Sequence, residues 1–71
     1  MVNTIKISVR LDEKYGNPKE IIASYSWHAA PSVGDMILIP KAGRTNMYNV
    51  TKKVWYDGGW TFLDLYVQPI D

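Results

Sequence analysis

Few side chains in this sequence could do covalent or acid–base chemistry. His28 is the only histidine, and there is no cysteine. A nucleophilic triad would have to draw on Ser24 or Ser26 with His28 and Asp35. Neighbouring residues on a strand face opposite ways, however, and nothing here supplies the strained turn that exposes a nucleophilic serine. The seven acidic residues are scattered, without a pair spaced as general acid and base. Gly58-Gly59 lacks the following lysine and helix of a phosphate loop. One histidine without a thiolate makes a poor transition-metal site. The chain therefore reads as a non-catalytic binding module with no metal and no cofactor.

Residues suited to binding are more plentiful. Aromatic side chains make up 13% of the chain and include three tryptophans, and such groups give large contact area at low entropic cost. Near the end of the chain Leu63, Leu65 and Val67 share one phase. That leaves Trp60, Phe62 and Tyr66 in the other, around Asp64. Trp55 falls opposite Val54 and is expected to join them. Trp55, Trp60, Phe62 and Tyr66 thus form the expected protein-binding stripe, for a host protein or a second copy of the chain. The alternative is that curvature tucks the stripe into a second small core. A rival site is basic. Lys6 and Arg10 share the polar face of the first strand, while Lys41, Arg44, Lys52 and Lys53 cluster in sequence. With Trp55 or Tyr48 nearby, Lys41, Arg44, Lys52 and Lys53 could grip single-stranded nucleic acid by charge and stacking. Against this stands the plain reading of a solvated face.

Composition sets the bounds. The chain has 71 residues, enough for a single small domain. A core of that size supplies about 3–5 kcal/mol of net stability, and no disulfide can add to it. Eight basic and seven acidic residues give a net charge of +1, too little for a strong long-range field toward nucleic acid or anionic lipid. A hydrophobic content of 46% is globular rather than disordered. The longest apolar run, Met36-Ile37-Leu38-Ile39, is far short of the ~20 residues that span a membrane. With no signal peptide apparent, the expected location is the cytoplasm, with no membrane partner.

The elements that must position these residues are strands. In 4–12, Ile5, Ile7, Val9 and Leu11 alternate with polar residues, the period of a half-buried strand. A turn over 13–19 leads to a second strand at 20–28, with Ile21, Ala23, Tyr25 and Trp27 in the apolar phase and Ile22 out of phase. The first two strands read as an antiparallel hairpin. In the stretch 29–35, Gly34 can take positive φ, and Asp35 can accept a local backbone hydrogen bond. A third strand at 36–39 stops at Pro40, and 41–46 reads as an exposed loop. The fourth strand, 47–56, places Lys52 in the phase of Tyr48, Val50, Val54 and Tyr56. A bulge near Thr51-Lys52-Lys53 would re-aim it. Asp57-Gly58-Gly59 forms a hairpin turn before the fifth strand at 60–67.

Five short strands without a helix predict an all-β, strongly curved antiparallel barrel of SH3-like kind, since curvature buries the inward residues and reduces exposed edges. An OB-like barrel is the second choice, disfavoured because the gap between strands three and four is too short for its helix.

Pro31-Ser32-Val33-Gly34-Asp35-Met36-Ile37, followed by Tyr48-Asn49-Val50 and Val54-Trp55, resembles a pattern in short phage-encoded small β-barrel proteins, most of which have no assigned function. The likeness implies an accessory protein acting in the host bacterial cytoplasm through contact with a host protein.

Overall fold

The period-two alternation becomes five strands. The computed structural model describes residues 4–56 and 61–70. The Asp57-Gly58-Gly59 turn and Trp60 lie outside the described residues. In chain order the strands are β1 (Ile5–Leu11), β2 (Ile21–Trp27), β3 (Met36–Lys41), β4 (Arg44–Trp55) and β5 (Phe62–Pro69). They form a single sheet in the order β2-β1-β5-β4-β3, curled into a half-barrel consistent with small SH3- or OB-like barrels. The β1–β2, β3–β4 and β4–β5 pairs are antiparallel, the first and last as the reading of hairpins requires. The β1–β5 pair is parallel, so the sheet is mixed rather than wholly antiparallel. That pairing sets the last strand beside the first, at the centre of the sheet.

The concave face carries the core. Ile7 and Val9 of β1 lie opposite Leu63 and Leu65 of β5. With Val67, Val50, Ile37 and Ile39 they form the buried cluster, in which Val9, Leu65 and Val67 are fully shielded from solvent. Tyr25 and Trp27 stack on each other at 4.6 Å between ring centroids and pack against the cluster from β2. The phase read for β1 and β5 is the phase observed.

Two bulges change the phase elsewhere. In β2 the register slips by one residue between Ala23 and Ile21. The extra residue, Ile22, turns toward the core, while Ile21 is left exposed. Ile22 is thus no anomaly: an inserted residue exchanges the two isoleucines. In β4 the register slips between Val50 and Lys52. The sequence places a bulge there, but its consequence extends along the strand. Beyond Thr51 the phase inverts, so that Lys53 and Trp55 lie on the concave side and Lys52 and Val54 on the convex side.

The turns follow from local chemistry. Gly34 has φ of 97°. The Asp35 carboxylate accepts the Ser32 N–H at 2.8 Å, and Asp35 N–H donates to the Ser32 carbonyl at 3.0 Å. This closes the Pro31–Asp35 turn onto β4 through Gly34 N–H to the Val50 carbonyl at 2.8 Å. The segment 41–46 is not a loop. β3 and β4 run on to a two-residue hairpin turn at Ala42-Gly43, with Lys41 opposite Arg44. Both turn residues have positive φ, 54° and 77°, the requirement of a type I′ turn. Pro40 continues β3 because this is an edge strand, where a missing N–H can face outward.

Alanine is a poor residue at positive φ, since the left-handed region costs an L-residue about 1–2 kcal/mol. Ala42→Asn places the preferred Asn-Gly pair in the turn and is expected to raise stability by about 1 kcal/mol. A higher urea midpoint with an unchanged m-value is the confirming result. An unchanged or lower midpoint contradicts the turn geometry.

Candidate functional site

The convex face is built around β5. Alternation along Phe62–Pro69 sends Leu63, Leu65 and Val67 inward, so Phe62, Asp64 and Tyr66 point outward. The parallel pairing sets Lys6 beside Phe62, Ser8 beside Asp64 and Arg10 beside Tyr66. On the other flank Lys52 lies opposite Tyr66, and Val54 opposite Asp64. Tyr56 continues that line, its N–H donating to the Phe62 carbonyl at 3.1 Å. Arg10, Tyr66 and Lys52 thus stand as cation, ring and cation across three adjacent strands, and Lys6 and Tyr56 flank Phe62.

Asp64 sits at the middle of this face and is 7% exposed. A carboxylate removed from water must be compensated. Here the Tyr56 hydroxyl donates to Oδ2 at 3.0 Å, and Arg10 Nε lies 3.5 Å from Oδ1. The Arg10 guanidinium reaches further, with Nη1 donating to the Lys19 carbonyl at 2.8 Å and to the Pro18 carbonyl at 3.3 Å. It thereby pins the β1–β2 loop over one end of the face. The only acid on the central strand's convex side is already matched, which leaves Lys6 as charge in excess of it, while Lys52 also faces the Asp12 carboxylate.

Those two lysines lie over rings. Lys6 Nζ is 5.7 Å from the Phe62 centroid, and Lys52 Nζ is 4.6 Å from the Tyr66 centroid, within cation–π range. Tyr56 and Phe62 stack at 6.3 Å with an interplanar angle of 23°. Phe62 remains 48% exposed, a flat apolar surface flanked by an ammonium group and a phenol.

Asp12 closes the far end. Its Oδ1 accepts the Lys14 N–H at 3.2 Å. The Thr51 hydroxyl oxygen stands within donating distance of Asp12 Oδ2, at 3.0 Å, and of the Tyr66 carbonyl, at 3.1 Å. This contact joins the end of β1 to the extra residue of the β4 bulge, the feature that aims Lys52 at Tyr66.

The residues singled out from sequence are distributed unevenly. Phe62 and Tyr66 are on the convex face. Trp55 is not: it is half-buried against the core, because the bulge at Thr51 inverts its phase. Trp60 lies outside the described residues. Of the basic group, only Lys52 reaches the aromatic face. Lys53 is half-buried on the concave side opposite Leu65. Lys41 and Arg44 face each other at the exposed tip of the β3–β4 hairpin, and Arg44 is eight residues, roughly 26 Å of strand, from Lys52. The basic cluster is therefore one of sequence and not of space. Lys6, Arg10 and Tyr56 complete the face instead. Lys6 and Arg10 share a phase in the sequence, but only the non-sequential β1–β5 pairing sets them beside Phe62 and Tyr66. Among the described residues no group of three or more His, Asp or Glu could hold a metal ion, and no helix is long and apolar enough to cross a membrane.

Compared with protein-family models, curated proteins and solved structures, the chain has no significant match to any.

The Asp12 contact has a pH signature. The Lys14 N–H first, then the Thr51 hydroxyl, hold the Asp12 carboxyl below its ordinary value of 3.8, with smaller help from the Lys14 and Lys52 charges. A carboxyl depressed in the folded state adds stability that is fully present above its unfolded pKa and is lost as pH falls through the folded one. Asp12→Asn is therefore expected to be less stable than the parent above pH 3.8, with the gap closing on further acidification. Urea midpoints measured across that range check it. A gap independent of pH would contradict the assignment.

Proposed function

We propose that this protein is a non-catalytic binding module whose convex sheet face takes single-stranded nucleic acid. The observation that carries this reading is the pairing of Lys6 with Phe62 and of Lys52 with Tyr66 on one continuous face. Sheet surfaces that bind single strands combine aromatic rings, on which bases stack, with cations that follow the phosphates. Base stacking tolerates any sequence because every base has a flat face. The small net charge is compatible with this, since Asp64 is matched within the chain and the charge in excess is local, at Lys6; Lys52 is shared with Asp12. Phe62 and Tyr66, four residues apart on one strand, stand roughly 13 Å from each other, far enough to engage separate bases. Arg10 serves by holding Asp64 and the β1–β2 loop in place.

A second reading, contact with a protein, has its own observation. Met36 and Leu38 on edge strand β3 are 57% and 56% exposed, and Met47 lies directly across from Leu38. Exposed apolar residues beside an unpaired edge favour association with another chain. A phage accessory protein that meets a host protein would use this patch rather than the aromatic face.

Fluorescence anisotropy with a labelled oligothymidylate separates the two readings. The parent chain is expected to bind with an affinity that falls as salt rises. Phe62→Ala is expected to weaken binding by about 1–3 kcal/mol, the worth of one stacked base. Leu38→Ser is expected to leave it unchanged. Absence of binding at low salt, or full retention in Phe62→Ala, overturns the nucleic-acid reading.

A further inference from the structure

Beside the aromatic face, between β2 and β5, runs an open trough of about 320 Å³ whose lining includes Lys6, Ser8, Ser24, Ser26 and Phe62. Its floor is β1. Ser8 lies opposite Ser24, and Lys6 opposite Ser26, so three hydroxyls and an ammonium group stand on adjacent strands with the Phe62 ring at the β5 wall. None of the three hydroxyls has a hydrogen-bond partner within the described chain, although each is able to donate. Among the described residues the lining contains no carboxylate. Asp64 is in register with Ser8, but its oxygens are turned to the Tyr56 hydroxyl and Arg10 Nε.

We propose that this trough seats the phosphate of a nucleotide whose base lies on Phe62. Lys6 supplies the charge, and the hydroxyls of Ser8, Ser24 and Ser26 supply hydrogen bonds. A phosphate oxyanion has acceptors on every side and no donor, which matches a donor set of hydroxyls and an ammonium group. A neutral sugar would leave Lys6 without an anionic partner. Lys6 is the pivot, because it is both over Phe62 and in the trough, so that one nucleotide can touch ring and cation together. The proposal rests on the convex face being the nucleic-acid site, and it assigns the side of β5 along which the phosphates run. The same chemistry fits a free nucleotide or one unit of a strand.

Amide chemical-shift titration tests it in the parent protein with three probes: thymidine, thymidine monophosphate and inorganic phosphate. Thymidine monophosphate is expected to shift the amides of residues 6, 8, 24 and 26 together with Phe62. Thymidine is expected to shift Phe62 alone, and inorganic phosphate to act more weakly than the nucleotide. The double variant Ser24→Ala/Ser26→Ala, on an exposed strand face, should lose the response at β2 and bind oligothymidylate roughly tenfold more weakly, the effect of hydrogen bonds to a charged group. Lys6→Gln is expected to lower the salt slope of oligonucleotide binding by about one. If oligothymidylate binds the double variant as tightly as the parent, the trough is not the phosphate seat, although the aromatic face stands. If the parent binds no oligonucleotide, the reading beneath it falls as well. Shifts from inorganic phosphate equal to those from the nucleotide would mean an adventitious anion only. A monophosphate bound more tightly than the oligonucleotide identifies a free nucleotide as the occupant.

Discussion

β5 lies between β1 and β4, and it must satisfy two opposite demands along one strand. Its inward residues, Leu63, Leu65 and Val67, form the centre of the core. Its outward residues, Phe62, Asp64 and Tyr66, must be supported by whatever the neighbouring strands bring. Truncating a fully buried leucine such as Leu65 typically costs 2–5 kcal/mol, about the whole of what a core this size supplies. Strand phase is accordingly fixed: a slip of one residue would exchange Leu65 for Asp64 in the core. The convex face is thus held in place by the same pairing that builds the interior. Phe62 is displayed to solvent, and Tyr66 partly so, because Leu63 and Leu65 cannot be.

Asp64 shows how that constraint is met on the outer side. Burying a carboxylate is unfavourable unless it is paired and hydrogen-bonded. Arg10 of β1 and Tyr56, just past the end of β4, provide both. Arg10 extends the arrangement to the Pro18 and Lys19 carbonyls, so that the position of a loop depends on a charge at the middle of the sheet. Removing either partner of such a pair leaves an uncompensated charge, which is why the pair specifies position more than it adds stability.

Much of the fold was legible in the residues. Alternation in 4–12 and 60–67 placed the phase of β1 and β5, and Asn, Gly and Pro marked the turns. Three features were not. The parallel β1–β5 pairing joins strands at opposite ends of the chain, and local pattern carries no trace of it. The bulge at Thr51 was visible as a lysine out of phase, but its effect on Trp55 depends on where the extra residue sits, which the Thr51–Asp12 contact fixes across 39 positions of sequence. The Ala42-Gly43 turn was hidden because alanine is uncommon at positive φ. For the site, Phe62 and Tyr66 followed from phase, and Lys52 from its sequence neighbourhood. Lys6, Arg10 and Tyr56 required the topology. A grouping by sequence proximity failed for Lys41 and Arg44, since an extended strand carries near neighbours in sequence far apart in space.

The proposed function requires that the rings of the central strand, and not the apolar edge, meet a nucleic-acid strand. Intermolecular nuclear Overhauser effects on a complex with a short single strand test it directly. The expected result is contact from the Phe62 and Tyr66 ring protons to base protons, with the Met36, Leu38 and Met47 methyl groups silent. Contacts confined to those methyl groups, or to the Trp55 indole, would contradict it.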